Sequence, residues 1–80
     1  MSAGTIRDVL EFVGRLREAK IWFRLEANRY DGITVTVAVP GEIWEIDFLD
    51  DGTVDVEIFK SDGMIFGREK IEELFARFSD

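Results

Sequence analysis

Eighty residues suffice for one domain and not for two, near the lower size at which one core folds unaided. The chain has no cysteine and no histidine, which excludes disulfides, thiolate zinc sites, cysteine nucleophiles and the usual general base. Its net charge of −7 is concentrated: Glu42 to Asp62 holds eight acids against Lys60, while nine acids and nine bases balance elsewhere, so nucleic-acid binding is not expected.

The first element is a helix over about 5–20, with Thr5 as its cap and Ile6, Val9, Leu10, Val13 and Leu16 as an apolar stripe at helical spacing. From Lys20 the period changes to two. Strands follow over about 21–29, 33–39, 43–49 and 53–59, each with one apolar face: Ile21, Phe23, Leu25 and Ala27; Ile33, Val35, Val37 and Val39; Trp44, Ile46 and Phe48; Val54, Val56 and Ile58. "MIF" at 64–66 leaves room for a short fifth strand. A closing helix over about 68–79 repeats Ile71, Leu74, Phe75 and Phe78 at i, i+3, i+4 and i+7.

Three connections end in Asp-Gly: "YDG" at 30–32, "DDG" at 50–52 and "SDG" at 61–63. A two-residue turn at Asp51-Gly52 would set Phe48 against Asp55 and mix core with solvent. A three-residue loop with a left-handed Gly52 pairs Leu49 with Thr53, Phe48 with Val54, Ile46 with Val56 and Trp44 with Ile58. Extended to the other loops, this logic pairs Ala27 with Val35 and Lys60 with Met64.

The fold class expected is α+β in two layers: an antiparallel meander of four to five strands with both helices on one face (α-β-β-β-β-(β)-α), as a single domain over 1–80. The other sheet face then has no cover. Its outward residues divide into an acidic half, with Glu26, Thr34, Thr36, Glu45, Asp47, Asp55 and Glu57, and an apolar half, with Trp22, Ala38, Ile43, Phe59 and, if the fifth strand forms, Ile65. The register sets Asp47 beside Asp55 and Glu45 beside Glu57, two like-charge pairs that each cost a few tenths to about 1 kcal/mol. Trp44 reads as a core aromatic beneath the helices.

Other chemistries fit less well. "DFLDDGTVD" resembles the start of a calcium loop, but Leu49 and Ile58 stand where two ligands belong, which leaves at most a weak divalent-cation site. No nucleophile–base pair and no phosphate-cradling motif occurs, so no enzyme and no cofactor are expected. No apolar run approaches the ~20 residues of a membrane helix, and "MSAGTIRDVLEF" lacks the pattern of a signal peptide; a cytoplasmic location without membrane contact is expected.

The stretch "AVPGEIWEIDFLDDGTVDVEIFKSDG", with the closing "IEELFARFSD", resembles small bacterial α/β proteins of about 80 residues that have no known activity. The plan of a small acidic domain with an open sheet face is also similar to toxin-neutralising immunity proteins, which implies a basic protein partner. One reading of the acids is solubility alone, since they keep an open sheet from stacking on another; beyond it, two functions follow as expectations. One is a non-enzymatic protein-binding module that uses Glu26, Glu45, Asp47, Asp55 and Glu57 beside Trp22 and Phe59. The other is a structural homodimer or larger oligomer packed through the apolar part of the same face.

Overall fold

The computed structural model describes residues 3–27, 29–59 and 65–78. Helix α1 (Ala3–Ala19) leads into strands β1 (Trp22–Glu26), β2 (Gly32–Val39), β3 (Glu42–Leu49), β4 (Val54–Phe59) and β5 (Ile65–Phe66), and helix α2 (Glu69–Phe78) closes the chain. The strands form one antiparallel sheet in the order β1-β2-β3-β4-β5, so each pairs with its sequence neighbours. Both helices pack on one sheet face. Between them lies a core in which Leu16, Val35, Val37, Trp44, Ile46, Val56 and Leu74 are fully buried. Phe12 links three elements, its ring centroid 5.5 Å from Phe48 on β3 and 5.7 Å from Phe75 on α2.

The β3–β4 connection has the three-residue form. The Leu49 N–H donates to Thr53 O at 2.9 Å, Gly52 N–H donates to Leu49 O at 3.0 Å, and Gly52 takes φ 89°. Phe48 accordingly pairs with Val54, Ile46 with Val56 and Trp44 with Ile58. The first hairpin differs from the expectation. Val35 pairs with Leu25, not Ala27, a shift of two residues that keeps every side chain on its expected face. Gly32 is no left-handed loop residue either. It sits in β2 opposite Leu49, where a Cβ would lie 2.5 Å from the Phe48 carbonyl oxygen. The Lys60–Met64 pair lies outside the described residues, but Glu57 with Ile65 and Val56 with Phe66 give a register again offset by two from its extension.

Helix α1 also departs from its expected stripe. Its buried positions are Thr5, Val9, Phe12, Val13, Leu16 and Ala19, while Ile6 and Leu10 are exposed. The apolar spacing holds, but the buried face is centred nearer Phe12 and away from Ile6 and Leu10. Thr5 lies inside the helix rather than capping it, and its hydroxyl donates to the Leu49 carbonyl at 3.0 Å, fastening α1 to the end of β3. At the other end the Ile21 N–H reaches Leu16 O and the Lys20 N–H reaches Arg17 O, the paired bonds of a Schellman cap. Lys20 there adopts φ 60°, a conformation usually left to glycine.

Glu42 is the further correction. Grouped by sequence with the acidic run, it shares the inward parity of Trp44 and is buried. Its carboxylate accepts from Trp44 Nε1 at 2.8 Å and from Arg77 of α2 at 3.0 Å, which ties the last turn of α2 to the start of β3.

Candidate functional site: the open sheet face

The outward side chains of β1 to β4 form three rungs across the sheet. Trp22, Ala38, Ile43 and Phe59 make an apolar rung, Arg24, Thr36, Glu45 and Glu57 a mixed one, and Glu26, Thr34, Asp47 and Asp55 an acidic one. The sequence-predicted site residues are thus brought onto one surface, with one qualification of geometry. Trp22 and Phe59 stand on strands three places apart, about 14 Å across the sheet, with Ala38 and Ile43 between them. They are two ends of one row. Trp22 is 56%, Ile43 42% and Phe59 45% exposed, so the row is open to solvent at each of its large residues.

The hydrogen-bond phase of the sheet bears on how the like charges are tolerated. Leu49 and Thr53 form a hydrogen-bonded pair, so alternation makes Asp47/Asp55 and Glu45/Glu57 hydrogen-bonded pairs as well. Such pairs hold Cα atoms about 5.5 Å apart rather than about 4.5 Å, which spreads the carboxylates. Two flanking cations relieve the field further. Arg24 lies 3.6 Å from Glu26, and Arg29, in the β1–β2 loop, lies 3.4 Å from Asp47 and 2.9 Å from Asp31. Thr34 donates to Asp47, and Thr36 donates to Glu26 at 3.3 Å.

Those compensations favour one side of the face. Glu45, Asp55 and Glu57 have carboxylates that make no hydrogen bond or ion pair with any described residue. Partial burial, then the negative charges of Asp47, Glu57 and Glu26, push the Glu45 carboxyl above its ordinary range. Asp51 behaves differently. Its carboxylate accepts from the N–H and hydroxyl of Thr53, which holds its pKa down and commits it to the turn. No group of three or more candidate metal ligands is close enough to hold an ion among the described residues.

Sequence reasoning missed three parts of the surface. Arg24 shares the outward parity of Trp22 and Glu26 on β1, a signal its charge alone does not carry. Arg29 reaches the face from a loop, where periodicity carries no signal. A groove of about 390 Å³ opens beside the Trp22 end of the apolar rung, lined by Lys20, Trp22, Ala38, Pro40 and Phe78; it arises from the αL cap and the Pro-Gly turn meeting in space. No helix among the described residues is long and apolar enough to cross a membrane. No protein-family model, curated protein or solved structure matches the chain. The functional reading rests on this geometry.

Proposed function

We propose that this protein is a non-enzymatic binding module whose open sheet face docks a basic protein surface carrying an apolar or aromatic tip. The observation that supports it is the pairing, on a face covered by no described residue, of five carboxylates with a continuous apolar rung. The apolar rung supplies the area that excludes water, while the carboxylates select and steer a cationic partner. Neutralisation of a basic toxin inside the cell is the concrete form this takes.

Trp22 makes the test direct, because it is on the face while Trp44 is fully buried. A peptide rich in Lys and Arg with one central Trp or Leu should change Trp22 emission saturably, and salt should weaken the effect. In capture from the source cell, the retained protein should be basic. It should be lost with D55K/E57K and with W22A/F59A, both of which should melt as cooperatively as the parent. Retention by both variants would overturn the proposal.

The exposure of Trp22, Ile43 and Phe59 also favours a second reading, in which two copies stack through the apolar rung. Close stacking brings the acidic rungs of both copies near one another. Light scattering that shows a dimer abolished by F59D would establish that reading in place of the first.

A further inference from the structure

The two edges of the sheet are built differently. β5 is two residues long, which leaves little to pair with, whereas β1 runs for five residues without proline or bulge. The phase of the ladder fixes what β1 offers. Because Leu49/Thr53 is a hydrogen-bonded pair, β3 turns Phe48, Ile46 and Trp44 towards β2, and β2 turns Thr34, Thr36 and Ala38 towards β1. Trp22, Arg24 and Glu26 therefore bond β2, and the N–H and C=O groups of Phe23 and Leu25 point out from the sheet edge.

The side chains beside that edge are apolar on the helix side. Leu25 is 52%, Leu10 66% and Ile6 42% exposed, and Ile6 lies one turn from Leu10 on α1. Asp8 meets Arg68, just before α2, and Arg15 meets Glu72 of α2, while the Arg17 guanidinium lies 5.8 Å from the Phe23 ring. Helical geometry then turns Ile6 and Leu10, on the Arg17 side, towards β1. This flank was expected to be core and is not: Leu25 takes an inward-facing position yet stays about half exposed.

We propose that the free edge of β1 pairs antiparallel with β1 of a second copy, with Leu25 opposite Leu25 across the twofold axis. That register is self-complementary. Arg24 of each copy falls opposite Glu26 of the other, and Phe23 falls opposite Ala27. The alternative centred on Arg24 would set guanidinium against guanidinium. Leu25 of both copies meets on the helix side and closes against Leu10 and Ile6, and the two sheets become one of ten strands. The Arg24–Glu26 contact within a copy is loose, at 3.6 Å, with both side chains at least one-third exposed, so both groups are available to exchange partners. An isologous interface of this kind needs no second surface. It is separate from the open-face reading, since strand pairing leaves the outward rungs uncovered.

Light scattering across concentrations up to about 1 mM tests the pairing, with the thermal melt of each variant confirming the fold. The parent should dimerise. R24E, which opposes two carboxylates twice, should weaken the dimer by about tenfold or more, and R24E/E26R should restore it. The chain has no cysteine, so a single L25C should be joined to its twin by a short bismaleimide, and F59C should not. A parent that stays monomeric at 1 mM, an R24E dimer of unchanged affinity, or cross-linking through F59C instead of L25C would each overturn the proposal.

Discussion

Replacing Glu45 by Gln removes one charge from the centre of the open face and changes little else. Glu45 faces Glu57 across the ladder, Asp47 follows two positions along the same strand, and Glu26 contributes from β1, with Arg24 as the opposing charge. A like-charge cross-strand pair costs roughly 0.2–1 kcal/mol, and partial burial adds in the same direction, so E45Q should stabilise at pH 7 by about 0.5–1 kcal/mol. For a domain this size that is a rise in Tm of about 2–8 °C. A carboxyl whose pKa is raised on folding is destabilising when ionised, and that penalty disappears as pH falls through the folded pKa. The advantage of E45Q should therefore be largest at neutral pH and vanish near and below the ordinary carboxylate range, while 1 M salt should remove its electrostatic part. Thermal melts of both proteins from pH 7 to pH 3.5 check this. A difference that is constant with pH, or destabilisation at pH 7, would refute the placement of Glu45 in a crowded acidic field.

Other substitutions probe separate features. K20G should stabilise by a few tenths to about 1 kcal/mol in denaturant melts, because glycine adopts φ 60° without the clash of a Cβ, less the extra freedom it gives the unfolded chain. G32A should destabilise by about 1–3 kcal/mol, since its Cβ meets the Phe48 carbonyl oxygen and the Leu49 Cα, which cannot move independently of β3. R77A should cost about 1–3 kcal/mol by removing a two-nitrogen cationic contact from the buried Glu42 carboxylate, and R77A/E42Q should recover part of the loss in a double-mutant cycle. The carboxyls of Asp31, Asp51 and Glu72 are held below their usual range by Arg29, Thr53 and Arg15; what they contribute is present at neutral pH and lost as pH falls through their folded values.

The parity of each strand was legible in the sequence because burial on one face imposes a period of two that loop length cannot disturb. The β1–β2 register shows this: an error of two residues moved Val35 from Ala27 to Leu25, yet Glu26, Thr34 and Asp47 stayed on the open face. The bulged turn at Gly52 was readable because both faces of the hairpin were patterned strongly enough to exclude the shorter loop. What escaped depended on extent rather than period. Apolar spacing cannot show where the helix layer stops, so Leu25, Ile6 and Leu10 were assigned to a core that ends short of them. Glu42 was grouped by charge with its neighbours, although its parity with Trp44 already placed it inward. Arg77, which makes that burial tolerable, lies 35 positions away.

A sheet in which every strand pairs with its neighbour in sequence also constrains the route to the native state. Closing each hairpin costs only a short loop's entropy, so the meander can assemble stepwise from local events. The helix layer is the opposite case. Arg15 and Glu72 meet across 57 positions, and Asp8 and Arg68, just before α2, across 60, so joining α1 to α2 brings together segments far apart in the sequence. Mutations at Phe12 or Phe75, where that junction is packed, should mainly quicken unfolding, whereas changes at the Gly52 turn should slow folding itself.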